Sequence, residues 1–137
     1  MAIMLALAFA TGTALVHYRR ATQPHHPEFT LAEMQSHVLA HDAVIIDARN
    51  PSAFAAGRIP SAISLPASER KSRSAEIRAF TRAHHDDLLV VYCANVWCGQ
   101  AEALQQWMAD LGHPQVGLFP GGFDAWVAAG LPTDHSP

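Results

Sequence analysis

Cysteine is scarce in this chain: among 137 residues there are two, Cys93 and Cys98, five positions apart. That is too few, and too close together, for a disulfide framework, and too few for a zinc site built of cysteines alone. Positive charge is scarce as well. A formal net charge of −3, with 15% of residues charged, leaves no basic surface of the kind nucleic acid requires, so no nucleic-acid partner is expected. No internal repeat or low-complexity run interrupts the sequence. What is abundant is apolar: half of the residues are hydrophobic, which suits a packed core and argues against disorder. The length fits one compact domain with a short appendage.

The appendage is the first 20 residues. Residues 1–16 carry no charge, contain Ile3, Leu5, Leu7, Phe9, Leu15 and Val16, and lead into His17-Tyr18-Arg19-Arg20. A spanning helix needs roughly 20 apolar residues, so this segment is just long enough to be read as a single membrane anchor. Tyr18 and the arginine pair mark an interfacial boundary that would keep the following domain on the cytoplasmic side. The rival is a signal peptide, cleaved to leave a periplasmic or secreted domain, but the basic start such a peptide needs is missing. The expected organisation is an apolar segment at 1–20 that contacts the membrane through 1–18, a linker at 21–27, and a domain at 28–137. Pro24 and Pro27 bracket His25 and His26 in the linker. With no further ligand spaced near them, these histidines are read as solvated and no metal is expected.

Within the domain, strand and helix patterns alternate. Thr30 with Glu33 forms a capping box, and Leu31, Met34, Val38 and Leu39 give one apolar stripe, predicting a helix over 31–40. Short β-branched runs at 43–47, 63–65, 88–92 and 115–119 read as strands. Pro51 permits a helical turn with Phe54 beneath it, a helix is predicted from Ser68 to His84 with Ile77 and Phe80 inward, and 84–87 is its polar end and a turn. A helix begins near Gln100 and is stopped by Gly112, and the last, carrying Phe123, Trp126 and Val127, ends at Gly130 before Pro132. Trp107 and Trp126 are assigned to the core. This alternation implies an α/β fold: a parallel sheet with helices on both faces and ligands bound beyond the carboxyl ends of the strands.

Two groups lie at such ends. Asp47 and Arg49 follow the first strand, and Cys93 follows the strand at 88–92. The loop Ala94-Asn95-Val96-Trp97-Cys98-Gly99 then leads into a helix. Its backbone N–H groups, at the positive end of that helix, form an anion cradle that favours a thiolate at Cys93. Buried free cysteine is often only a small hydrophobe, but the position after the strand favours a nucleophile.

Three motifs carry a family likeness. Asp47-x-Arg49 with Phe54-x-x-Gly57-Arg58-Ile59-Pro60-x-Ala62, then Val90-Val91-Tyr92-Cys93 with its tight loop, then Gly121-Gly122-Phe123-x-Ala125-Trp126 and Gly130-Leu131-Pro132, resemble the successive signatures of rhodanese-like domains. The likeness spans roughly residues 28–133. It implies a five-stranded parallel sheet flanked by helices, here preceded by the apolar N-terminal helix. It also implies Cys93 as the residue that carries sulfur, with no cofactor. There are departures: Arg58 stands where the family usually has histidine, Ser61 where it usually has glycine, and the loop has no arginine.

The expected activity is therefore sulfur transfer. Cys93 would take a sulfane sulfur from thiosulfate or a persulfide and pass it to a thiol or cyanide, with the N–H groups of residues 94–99 stabilising the terminal sulfur. Without a bidentate cation in the loop, and with an apolar Val96–Trp97 rim, a protein-bound or small persulfide suits the site better than thiosulfate. Asp47, Arg49 and Arg58 are read as supporting residues. Cys98 either packs under the loop or resolves the Cys93 persulfide as a disulfide. A non-catalytic, membrane-tethered binding module is the alternative. A phosphatase or arsenate reductase ranks below it, because no arginine lies between Cys93 and Leu111 to grip a tetrahedral anion.

Overall fold

The computed structural model of the protein describes residues 26–137; the proposed anchor and most of the linker lie outside them. The elements run α1 (Leu31–Ala40), β1 (Val44–Asp47), α2 (Pro51–Ala56), β2 (Ile63–Ser64), a 3₁₀ turn (Ala67–Glu69), α3 (Ser74–Ala83), β3 (Leu89–Tyr92), α4 (Gln100–Asp110), β4 (Val116–Phe119) and α5 (Gly122–Ala128). All strand pairs are parallel, in the order β2-β1-β3-β4. Ile45 lies beside Val90, and Val90 beside Gly117.

The sheet therefore has four strands among the described residues, not the five that the family likeness implied. The place beside β4 is held by a single parallel bridge, Glu28 to Leu118. There Leu118 N–H donates to Pro27 O and Phe29 N–H to Leu118 O, both over 2.8 Å. Pro27 has no N–H and Thr30 already caps α1, so the pairing cannot lengthen in either direction.

Alternation along β1 and β3 divides the core in two. Ile46, Val91 and Leu89 face α3 and α4, where Ile77, Leu104 and Met108 are fully buried. Ile45, Val90 and Tyr92 face the other way, toward Met34 and Val38 of α1 and Trp126 of α5. Each such aliphatic side chain contributes about 1.5–3 kcal/mol by leaving water. Trp126 also has a polar anchor, its indole N–H donating to Pro132 O over 2.7 Å. Trp107 is only half-buried and packs at the margin of the first cluster.

At α1 the capping box forms as expected, with Thr30 and Glu33 satisfying each other's backbone N–H groups. The helix expected from Ser68 to His84 is instead broken into the 3₁₀ turn and α3. Between the two the backbone bonding tightens, Ser74 N–H donating to Lys71 O over 3.4 Å, before the i→i+4 ladder resumes with Ile77 N–H to Arg73 O over 2.9 Å. Among the described residues no helix is long and apolar enough to cross a membrane.

Candidate active site

Parallel register carries β3 to its carboxyl end at Tyr92, and Cys93 follows directly. Cys93 shares a packed cluster with Val91, Leu104 and Ala101, whereas Tyr92 points through the sheet to the opposite face. The Cys93 side chain is 3% exposed. Its sulfur is bonded to that of Cys98, with the two Cα atoms 6.3 Å apart.

The loop is built around Asn95. Its carbonyl accepts Cys98 N–H over 3.2 Å, and its Oδ1 accepts Trp97 N–H over 3.1 Å. Two of the six N–H groups expected to face a ligand, those of Trp97 and Cys98, are thus already engaged. The N–H groups of Ala94, Asn95, Val96 and Gly99 make no hydrogen bond among the described residues. Gly99, at φ +67°, starts α4 with no side-chain cap, so the first N–H groups of that helix also remain open. Val96 and Trp97 stand out from the loop, Trp97 being 90% exposed.

The closing glycine motif has a geometric reason. Gly122, at φ +64°, lies so close to the loop that a Cβ there would come 2.5 Å from Cys93 O and 2.7 Å from Ala94 O. This approach lets Phe123 N–H reach Cys93 O and Asp124 N–H reach Ala94 O, both over 2.9 Å. Asp124 Oδ2 also accepts from Asn95 Nδ2 over 2.8 Å. The start of α5 is therefore the floor on which the first half of the loop rests.

Two residues here were not singled out from the sequence. Asp124 is one; its signal was an acidic side chain in the first turn of the closing helix. Gln100 is the other, its Oε1 lying 3.6 Å from both sulfurs. With the sulfurs bonded, neither carries a hydrogen, so these are packing contacts in the disulfide state and S–H···O hydrogen bonds in the dithiol state.

Asp47 and Arg49 do not meet Cys93. Asp47 is fully buried, and its carboxylate accepts Arg49 N–H over 2.9 Å, Arg49 Nη2 over 2.7 Å and Tyr92 O–H over 2.6 Å. Arg49 Nη2 also donates to Gly57 O over 2.6 Å, and the guanidinium lies 4.2 Å over the Phe123 ring. Burial opposes the charge on Arg49, but the Asp47 hydrogen bonds and charge outweigh it and hold its pKa above the usual guanidinium value. Burial pushes the Tyr92 phenol well above its ordinary range, and the Asp47 carboxylate pushes it the same way. This network joins β1, β3, the turn at Gly57 and the start of α5 on the face away from the thiol. Arg58 ties down the C-terminal tail instead. It pairs with Asp134 through the backbone, donates to Ser136 Oγ over 2.9 Å, and stacks on Phe54. None of its partners is in the cysteine loop. Among the described residues no group of three His, Cys, Asp or Glu side chains is placed to hold a metal.

The sequence pattern of the rhodanese-like domain matches residues 30–129. Among curated proteins, the chain is 31% identical over 106 residues to the HTH-type transcriptional regulator Rv0324 of Mycobacterium tuberculosis, a match covering 77% of this chain and 44% of that one. The chain thus spans less than half the length of that relative. Of solved structures, the BH2092 protein of Bacillus halodurans is similar in fold, with a TM-score of 0.68 at 20% identity over 91% of this chain and 86% of that one. The thiosulfate sulfurtransferase of Pseudomonas aeruginosa is similar with a TM-score of 0.59 at 28% identity, over 90% of this chain but 22% of that chain. With the pattern filling most of the described residues and the parallel α/β architecture in place, this chain belongs to the rhodanese-like domain family.

Proposed function

We propose that the protein is a sulfurtransferase that moves a sulfane sulfur from a persulfide, or from thiosulfate, to a thiol acceptor or cyanide through a persulfide on Cys93. Sulfur transfer is the usual activity of the family, and one similar structure is a thiosulfate sulfurtransferase. The observation that carries the reading is the position of Cys93 at the carboxyl end of β3, followed by a loop with four open N–H groups and an uncapped helix start.

Reduction of the disulfide frees the Cys93 thiolate, which those amides stabilise. The thiolate attacks the outer sulfur of the donor, the bond within the donor breaks, and its remainder leaves with the electron pair. The same amides then face the charge on the terminal sulfur of the enzyme persulfide, as they would an oxyanion. An acceptor thiolate attacks that terminal sulfur and restores Cys93. The loop contributes no cation, and its exposed rim is apolar Val96 and Trp97. Both features favour a persulfide on a small thiol or a protein over a doubly charged donor. The apolar, uncharged stretch at 1–16 would tether this activity to a membrane through 1–18 with the domain on the cytoplasmic side, a reading that rests on composition alone.

The test is to reduce the full chain carrying Cys98→Ser, so that Cys93 is its one thiol, remove the reductant, expose it to glutathione persulfide or thiosulfate, and weigh it. A gain of one sulfur atom that cyanide removes, absent from Cys93→Ser, is expected. No gain with either donor rejects sulfur transfer and leaves a binding module.

A further inference from the structure

The loop contains a second sulfur already within bonding reach of the first. Cys93 and Cys98 are joined, and a Cα separation of 6.3 Å lies within the usual span of such bridges. The loop's own turn brings them together: Asn95 accepts Trp97 N–H on its side chain and Cys98 N–H on its carbonyl. Gly99 follows in the left-handed region with open space around it, so the chain enters α4 directly after Cys98. Gln100 Oε1 touches both sulfurs at 3.6 Å. Cys98 is half-buried and adjoins the exposed Trp97, so one of the pair can be reached from outside.

The same arrangement holds a persulfide less firmly than a complete cradle would. Two of the loop's amides are already engaged by Asn95, and residues 94–99 include no cationic side chain. A terminal sulfur on Cys93 thus stands with limited stabilisation beside a thiol that can reach the inner sulfur.

We infer that the domain is also a persulfide reductase, in which Cys98 resolves the Cys93 persulfide and releases sulfide. This rests on the Cys93 persulfide proposed above. The donor RSSH gives its outer sulfur to the Cys93 thiolate: the RS–SH bond breaks, Cys93–S–SH forms, and the thiolate RS⁻ leaves. The Cys98 thiolate then attacks Sγ of Cys93. The bond between that sulfur and the terminal one breaks, hydrosulfide leaves with the electron pair, and the Cys93–Cys98 disulfide forms. In sum, RSSH and two protein thiols give RSH, hydrogen sulfide and one protein disulfide; the protein is oxidised by two electrons and the sulfane sulfur is reduced. A dithiol reductant restores both thiols by exchange and becomes a disulfide itself. The Cys93–Cys98 bridge is the product on which this reductant acts.

The experiment uses the full chain, reduced and then freed of reductant, with one equivalent of glutathione persulfide and no other acceptor. Sulfide and protein mass are read together, with Cys93→Ser as the blank. The wild type is expected to release one equivalent of sulfide above the blank and to end as the disulfide, two hydrogens lighter than the dithiol. Cys98→Ser, and Cys98→Ala as a second variant, are expected to end one sulfur heavier and to lose the sulfide signal to the level of the blank. If the wild type retains the extra sulfur as fully as the Cys98 variants do, the reductase inference is overturned and sulfur transfer stands. If the Cys98 variants take up no sulfur at all, the transfer reading fails, and the inference with it.

Discussion

Tyr92 donates its phenolic hydrogen to Asp47 Oδ2 over 2.6 Å, while its own Oη accepts Ile59 N–H over 3.2 Å. One hydroxyl thus connects the ends of β1 and β3 to the turn before β2, beneath the residue that precedes the cysteine loop. The contact crosses 45 residues of sequence, and it makes the family's Asp-x-Arg motif a structural clamp on the face away from the thiol.

Tyr92→Phe removes this bridge and leaves Ile59 N–H buried without a partner, a change expected to cost about 1–3 kcal/mol near neutral pH. The pH dependence has a definite sign. Burial and the Asp47 carboxylate raise the folded-state phenol above its unfolded value near 10, so the contribution is complete below about pH 10 and is lost as pH rises beyond it, where the unfolded chain releases the proton first. Urea midpoints measured from neutral pH to about pH 11 should show the gap between wild type and Tyr92→Phe narrowing at the alkaline end. A gap that stays constant would contradict this.

Gly122→Ala puts a methyl group against Cys93 O and Ala94 O at a residue with φ +64°. The left-handed conformation alone costs about 1–2 kcal/mol, and the contact displaces the start of the loop. Both stability and sulfur loading should fall, the first read by thermal melting and the second by mass after exposure to donor. Gly112→Ala, also left-handed but with open space around it, should lower stability and leave loading intact.

Asn95→Ala removes the acceptor for Trp97 N–H and the bond to Asp124. At roughly 1 kcal/mol per hydrogen bond, loss of the pair should loosen the loop enough to slow transfer about tenfold. Global stability, set by the two clusters on either side of the sheet, should change little. The comparison is of single-turnover rates beside urea midpoints.

Trp97→Ala tests the apolar rim. Because the side chain is 90% exposed, stability should move by no more than about 0.5 kcal/mol. The expected loss is in kcat/KM for bulky or protein-borne persulfides, about tenfold, with thiosulfate little affected. An equal loss for every donor would place Trp97 in loop folding rather than in donor contact.

Much of the scaffold was legible because local rules and tertiary packing agree. The capping box at Thr30 and Glu33 set the start of α1, Gly112 followed the end of α4, and the β-branched runs became β1, β3 and β4. The break before α3 escaped notice because it rests on a local shift of backbone bonding to i→i+3 at Lys71 and Ser74, which no periodicity records. The fifth strand expected from the family likeness was reduced to a bridge at Glu28, because Pro27 and the cap at Thr30 leave no N–H and no length for more.

The sequence by itself determined the alternation of strand and helix, the position of Cys93 after a buried strand, and the presence of a second thiol five residues on, since each depends on local order along the chain. Only the tertiary structure decided that Asp47 and Arg49 clamp the opposite face, that Arg58 holds the C-terminal tail, that α5 approaches closely enough to carry the loop through Gly122, and that Asn95 takes up two of its amides. Those outcomes depend on which side of a parallel sheet a residue faces and how closely two distant backbones pass, and neither is encoded in any short stretch of residues.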